Sequence, residues 1–103
     1  GITSFAGSVK LTEIGDGAFS HCEDLGEVDL RGIVRIGANV FEYTAIAEVY
    51  IPASVTVMGG YVFDGCSLAS VKCEAESAPA GWNEYWLMYG ADADSVVWGA
   101  AAD

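Results

Sequence analysis

Three cysteines and one histidine are the side chains best suited to chemistry in this chain of 103 residues. Nucleophilic catalysis needs a nucleophile beside a base, and structural zinc usually needs closely paired Cys or His ligands. Cys22, Cys66 and Cys73 show no C-x-x-C spacing, and His21 is the only histidine. We therefore predict that the protein is not an enzyme and holds no metal and no cofactor.

Acidic side chains are numerous, so that pairs of carboxylates arise by chance, and we expect most of them to be solvated. Asp92 and Asp94, followed by Ser95, could supply oxygen ligands to calcium. The glycine and the distal glutamate of a calcium-binding loop are absent from this stretch. An ordinary polar turn is the favoured interpretation.

The charge balance restricts the partners. Four Lys and Arg residues against fifteen Asp and Glu residues give a net charge of −11, which disfavours nucleic acid and anionic membrane surfaces. Hydrophobic residues make up 52% of the chain, and no apolar run approaches the roughly 18 residues that a membrane helix needs. We predict a single globular domain over residues 1–103 without membrane insertion.

The chain repeats itself with a period of about 22 residues. Phe19, Phe41 and Phe63 are 22 residues apart. Such a short unit fits one coil of a solenoid and is too short for two packed helices. Glycines and apolar residues recur in step: Gly15, Gly37 and Gly59; Leu25, Ile46 and Leu68; Val28, Val49 and Val71; Leu30, Ile51 and Cys73.

Each coil is predicted to form one strand, because apolar and polar residues alternate in stretches 25–30 and 46–51. Stacked coils would then build one parallel sheet. A second extended piece is expected around Val55–Gly59, and the Ala18–Phe19 type segment would return the chain as one helical turn.

The repeat also bears on the cysteines. Cys22 and Cys66 hold equivalent positions two coils apart, with Thr44 between them. Two strand spacings amount to about 9.6 Å, which exceeds the roughly 4.4–6.8 Å between the Cα atoms of a disulfide. We predict no disulfide and free, largely buried thiols, with a Cys66–Cys73 bridge as the alternative left open.

These coils resemble the BspA-like leucine-rich repeats of surface proteins, in which L-x-x-I-x-I-P-x-x-V-x-x-I-G-x-x-A-F-x-x-C is repeated. Residues 14–22 match the I-G-x-x-A-F-x-x-C part, and Ile51 to Val55 match the proline segment. Thr44, Val40 and Val62 depart from it. The resemblance implies a strand-dominated α/β fold, a right-handed leucine-rich-repeat solenoid with a short parallel sheet, at the surface of a bacterial cell or outside it.

The pattern stops at Cys73, and we expect residues 1–73 to form the repeats and residues 74–103 to form an aromatic-rich C-terminal cap. Solenoids need an atypical last unit to cover their exposed end. Trp82 and Trp86 are four residues apart, as are Tyr85 and Tyr89, and this spacing predicts a helix. Together with Trp98, these rings could form a stacking platform for sugars or peptides, but packing on the last coil is favoured.

Polar residues that alternate with the buried strand positions must point away from the core. This outward side of the sheet is the predicted partner-binding site, with Tyr50 as its best candidate anchor, because interfaces favour a central aromatic residue. The predicted site residues are Ser4, Glu27, Asp29, Glu48, Tyr50, Ser70 and Lys72.

Two functions are compatible with this sequence. The resemblance implies a cell-surface or secreted recognition module for adhesion, which binds a host or neighbouring-cell protein. The alternative is a structural spacer, or the terminal cap of a longer surface repeat protein, with no ligand of its own. Localisation at the cell surface depends on the resemblance alone.

Overall fold

A computed structural model describes residues 4–6, 12–91 and 95–100. The described part of the chain contains short β-strands joined by turns and no α-helix. Ile2 and Leu11, which belong to the partial first coil of the predicted repeats, lie outside the described residues. The strands are β1 (Ser4–Ala6), β2 (Glu13–Ile14), β3 (Glu27–Asp29), β4 (Arg35–Ile36), β5 (Glu48–Ile51), β6 (Val57–Met58), β7 (Ser70–Cys73) and β8 (Val96–Trp98).

All strand pairs are parallel and join successive coils. Strands β1 and β3 form a two-stranded sheet, β5, β7 and β8 form a second sheet, and β2, β4 and β6 form a third. Val49 pairs with Val71 and Ile36 pairs with Met58, so that equivalent residues of neighbouring coils lie side by side. The second extended piece predicted around Val55–Gly59 is confirmed as β6.

The prediction of one continuous sheet is wrong. Strands β3 and β5 are neighbours, yet no strand ladder joins them, and the Ala45 N–H donates to the Leu25 carbonyl oxygen at 2.8 Å just before they begin. The physical reason is the spacing of the coils. Val28 and Val49 are 21 residues apart, whereas Val49 and Val71 are 22 apart, so one residue is missing at this point and the ladder is interrupted.

The return segments are turns and not the helical turn that we predicted. Within each segment the backbone bonds span three residues, as in the Ala18 N–H to the Gly15 carbonyl at 3.1 Å. His21 has a φ of 61°, which an α-helix cannot contain. The next coil supplies further partners, because the Phe19 N–H donates to the Val40 carbonyl and the Phe41 N–H to the Val62 carbonyl. Backbone hydrogen bonds thus cross from coil to coil on this side too.

Phenylalanine rings stack through the centre of the molecule. The ring centroids of Phe19 and Phe41 are 5.8 Å apart and those of Phe41 and Phe63 are 5.7 Å apart, with nearly parallel planes. Phe41 and Phe63 are fully buried. Phe19 is half-buried and packs against the same core.

The chain beyond Cys73 continues along the same stack. Strand β8 pairs with β7, with Val71 opposite Val96, and Trp82 forms a single bridge with Met58. Trp82 and Trp86 are buried, the Trp82 indole N–H donates to the Val55 carbonyl oxygen at 3.0 Å, and Trp86 contacts the Phe63 ring edge to face at 6.4 Å. The predicted packing on the last coil is confirmed for these two rings and is wrong for Tyr85 and Tyr89, which are exposed because the turns point them outward. The predicted helix is wrong, since residues 84–90 form turns. The boundary at residue 73 stays a prediction.

Truncation of the central ring tests the packing. We expect Phe41→Ala to lower the free energy of unfolding by about 3–5 kcal/mol, because it leaves a cavity between two stacked rings. Phe19→Ala should cost clearly less, because Phe19 is only half-buried. Urea denaturation of both variants measures this, and equal losses would contradict the packing described.

Two glycines that share one repeat position form a second, matched test. A Cβ atom at Gly59 would lie only 2.5 Å from the backbone nitrogen of Ala38 in the neighbouring coil, whereas a Cβ atom at Gly15 meets nothing within 4 Å. We expect Gly59→Ala to lower stability by about 1–3 kcal/mol through overpacking. Gly15→Ala should change it by about 0.5 kcal/mol or less. Thermal melts that shift equally would contradict the close approach of the coils.

Candidate functional site

The outward side of the strands carries the predicted site residues, and we call it the strand face. Glu48 lies opposite Ser70, and Tyr50 lies opposite Lys72. The alternating residues Val49, Ile51 and Val71 are buried, as period-two alternation requires. The strand face is defined by Ser4, Glu27, Asp29, Glu48, Tyr50, Ser70 and Lys72.

The interrupted ladder divides this face. Ser4 pairs with Glu27 in the first sheet, whereas Glu48, Tyr50 and Lys72 belong to the second. The backbone of Ser4 is described, but its side chain lies outside the described residues. The structure therefore brings together the carboxyl-terminal half of the predicted site and places the amino-terminal half on a separate pair of strands.

Asp29 is engaged by a residue that the sequence reading missed. The Arg31 guanidinium donates from Nε to both carboxylate oxygens of Asp29, at 2.9 and 3.0 Å. Hydrogen bonds from the Arg31 side chain and backbone lower the pKa of this carboxyl. The pair is exposed and contributes little to stability, but the positive charge of Arg31 offsets the negative charge of Asp29 on the strand face. An Arg two residues beyond an outward-pointing Asp is the signal that could have indicated it.

Tyr50 lies on the strand face but is half-buried. Its hydroxyl donates to the Ala100 carbonyl oxygen at 3.3 Å, which links the middle of the face to the segment after β8. Val97, opposite Lys72, is 51% exposed and extends the face further. The predicted site did not include Val97, although the alternation of Val97 with the neighbouring Val96 and Trp98 indicated an outward position.

A second surface is formed by exposed tyrosines, of which only Tyr85 and Tyr89 were considered as a stacking platform from the sequence. Four of the five tyrosines lie in the turns that follow β4 and β6 and in the corresponding turns of the C-terminal segment. His21 stacks on Tyr43 with ring centroids 4.8 Å apart, and Tyr61 stacks on Tyr85 at 5.9 Å and on Tyr89 at 6.3 Å. The exposed fractions are 46% for Tyr43, 37% for Tyr61, 42% for Tyr85 and 72% for Tyr89.

Three of these tyrosines have a left-handed backbone. The φ angles are 56° at Tyr43, 57° at Tyr61 and 63° at Tyr89. Equivalent positions of other coils are held by Asn39 and Gly65, residue types that adopt this conformation readily. A bulky residue there costs roughly 1–2 kcal/mol. Tyrosine is thus present where smaller residues would be less strained.

Gly65 also makes room for one of these rings. A Cβ atom at Gly65 would collide with the ring of Tyr43, which covers it from the preceding coil. The rings of this surface are therefore fitted to the repeat positions of the neighbouring coils. A search for tyrosine at positions where other repeats have glycine or asparagine could have found this surface from the sequence.

Glu42 lies beside these rings. Its carboxylate accepts hydrogen bonds from the Ser20 hydroxyl and the Asn39 side-chain amide, and both bonds lower the pKa of Glu42. His21 Nε2 is 4.0 Å from the Glu42 carboxylate. Ser20 donates to the carboxylate and not to a histidine, so this Ser, His and Glu set does not activate a nucleophile in the manner of a triad.

The three cysteines are free thiols. The Cys66 thiol donates to the Phe41 carbonyl at 3.1 Å and lies 3.2 Å from the Thr44 hydroxyl. Burial raises the pKa of Cys73 to about 12. Cys22 is half-buried. The described residues contain no group of three or more His, Cys, Asp or Glu side chains that could hold a metal; Asp92 and Asp94 lie outside the described residues.

Comparisons with known proteins agree with the stacked coils. The family model of the BspA type leucine rich repeat region matches residues 1–78 in six copies. The chain belongs to this leucine-rich repeat family. A crystal structure of a leucine rich cell surface protein from Faecalibacterium prausnitzii A2-165 is similar, with 30% identity and a TM-score of 0.70. The similarity covers 82% of this chain but 22% of that chain.

A search of curated proteins found no match. The resemblance to BspA-type repeats that the sequence indicated is confirmed. Among the residues that the structure describes, no helix is long and apolar enough to cross a membrane.

Thiol labelling tests the buried environment of the cysteines. With a pKa of about 12, Cys73 is almost entirely protonated at pH 8 and should not react in the folded protein, because the thiolate is the nucleophile. We expect Cys22 to react first, and Cys66 and Cys73 to react only after denaturation. Mass spectrometry of alkylated protein identifies each thiol, and equal labelling rates or a Cys66–Cys73 bridge would contradict the structure.

Proposed function

We propose that the protein is a non-enzymatic recognition module, exposed on a cell surface or secreted, that binds a host or neighbouring-cell protein through the strand face. We also propose the right-handed coil that the family resemblance implies. The supporting observation is the register of β5 and β7, which aligns Glu48 with Ser70 and Tyr50 with Lys72 on one outward surface. Tyr50, near the middle of this surface, is the residue type that most often anchors a protein interface, and the polar residues around it fit an interface rim.

The chemistry of this surface favours a protein partner over other classes. A net charge of −11 opposes nucleic acid and anionic lipid. Glu48 and Lys72 are exposed and supply charges of both signs a short distance apart, which gives orientation to a protein contact. The relation to a cell surface protein supports the extracellular setting.

A structural spacer is the second candidate function, and two contacts favour it. Asp29 is occupied by Arg31 and Tyr50 by the Ala100 carbonyl, so part of the strand face already serves the fold itself. In this case the coils would project or terminate a longer repeat array without a ligand.

Alanine substitutions on the strand face discriminate between these functions. An array of purified extracellular matrix and host surface proteins first identifies a ligand. We then expect Glu48→Ala to weaken its binding by about tenfold with an unchanged melting temperature, as a residue near an interface centre does. Tyr50→Ala should weaken binding more than Tyr50→Phe, which keeps the ring and removes the hydroxyl that donates to the Ala100 carbonyl.

Glu13→Ala is the matched control. This substitution removes the same charge from strand β2 of the third sheet, where the Glu13 carboxylate lies 3.3 Å from Nε of Arg35. It should leave binding unchanged. Absence of any ligand on the array, or a ligand that is insensitive to Glu48 and Tyr50, would contradict the strand face as the recognition site and favour the spacer.

A further inference from the structure

The tyrosine-bearing side of the molecule consists of four turn segments, residues 15–22, 37–44, 59–66 and 83–90, and we call their outward surface the turn face. Backbone hydrogen bonds join the first three in sequence, and the Gly65 N–H donates to the Tyr89 carbonyl in the fourth. Each segment contains one acidic residue, and none contains Lys or Arg. The acids are Asp16, Glu42, Asp64 and Glu84.

Exposed aromatic rings cover this face beyond what packing requires. The tryptophans of the same region are buried or half-buried, whereas Tyr43, Tyr85 and Tyr89 are exposed by 42% or more. Strained backbone that a fold retains for a particular side chain is characteristic of binding surfaces. Tyrosine is also the residue type that supplies rigid contact area at protein interfaces with little loss of conformational entropy.

The carboxylates lie among these rings. Glu84 directly precedes Tyr85 in the chain, and its charge and a hydrogen bond to its carboxylate raise the pKa of Tyr85. Within the described residues, no hydrogen bond or ion pair engages the Asp64 side chain, which is half-exposed. The face therefore presents negative charge and aromatic rings together, with His21 as its only group that can become cationic.

A ligand that complements both features is a cation with a flat or aliphatic body. Guanidinium and ammonium groups are attracted to the faces of aromatic rings and form charge-assisted hydrogen bonds with carboxylates. The net charge of −11 attracts a basic partner over long range. At the carboxyl-terminal end, the face borders a cavity of about 770 Å³, lined by Glu84, Met88 and Tyr89 among others, which can accept the stem of a long side chain.

We propose that the turn face docks a Lys- or Arg-rich segment of another protein, with basic side chains placed against Tyr61, Tyr85 and Tyr89 and paired with Asp64 and Glu84. This surface is separate from the strand face, and its occupation does not depend on the proposed function. A short extended segment would cross the coils along the line of the stacked rings.

Synthetic peptides test the proposal directly. Octapeptides of alternating Gly and Arg, Gly and Lys, and Gly and Gln are titrated into the intact chain by calorimetry at low salt. We expect the Arg and Lys peptides to bind and the Gln peptide to show no binding. Affinity should fall as salt is raised, because exposed charges are screened.

Repeat-guided variants locate the binding. Tyr61→Asn introduces the residue type of Asn39, and Tyr89→Gly introduces that of Gly65, the equivalent positions of other coils. Both substitutions are therefore compatible with the left-handed backbone. Each should weaken the Arg peptide about two- to fivefold, which is the contribution of one exposed cation–π contact. Asp64→Asn should weaken it by a similar factor, and circular dichroism melts confirm that the variants are folded.

Glu48→Gln and Tyr50→Phe on the strand face are the matched controls and should leave peptide binding unchanged. Equal loss from Glu48→Gln and Asp64→Asn would show diffuse attraction to an acidic protein and would overturn the proposal. Binding of the Gln peptide, or of a neutral oligosaccharide in place of the Arg peptide, would overturn it as well. An array ligand whose binding is lost with Glu48→Ala but kept with Tyr61→Asn would support the strand face, and the peptide titrations alone decide the proposal for the turn face.

Discussion

The ring of Phe41 lies between those of Phe19 and Phe63, and this contact requires each coil to repeat the path of the one before it. Ring centroids 5.7–5.8 Å apart are compatible with strands about 4.8 Å apart only if the coils stay in register. Once that register is kept, valines, isoleucines and glycines also align with their equivalents. The remaining side chains are then forced outward into columns, which form the two candidate surfaces.

The two surfaces differ in how the backbone supports them. On the strand face, alternation along β5 and β7 selects the outward residues, and several of them also make internal contacts, such as the Tyr50 bond to Ala100. On the turn face, left-handed positions direct the side chains outward, and tyrosines occupy positions where another coil has Asn39 or Gly65. The first surface follows from regular structure, and the second depends on deviations from the repeat.

The sequence predicted the features that depend on period. The spacing of the three phenylalanines indicated stacked coils, and alternation indicated the strands and the outward position of Glu48 and Lys72. It did not predict the interruption between β3 and β5, because the effect of one missing residue on a hydrogen-bond ladder depends on three-dimensional geometry. The four-residue spacing of Trp82 and Trp86 wrongly indicated a helix. Successive turns also bring residues four apart into contact, here with ring centroids 5.0 Å apart.

The candidate sites were harder to predict than the fold. The contact of Tyr50 with Ala100 joins residues far apart in the chain, and no residue pattern specifies it. The Arg31–Asp29 pair could have been inferred only from the spacing of the two residues. The tyrosines of the turn face were not recognised as one surface, because Tyr85 and Tyr89 were assigned to a helix and Tyr43 and Tyr61 were not compared with the equivalent residues of other coils. Comparison of each repeat position across the coils, residue by residue, would have marked them as departures toward larger side chains.

The central claim is that equivalent rings of successive coils are stacked neighbours. Nuclear Overhauser spectroscopy on protein with isotope-labelled phenylalanine measures this directly, because it detects ring protons that lie within about 5 Å of each other. The account predicts cross-peaks between Phe19 and Phe41 and between Phe41 and Phe63, and none between Phe19 and Phe63. A direct Phe19–Phe63 cross-peak, or no contact from Phe41 to either ring, would contradict it.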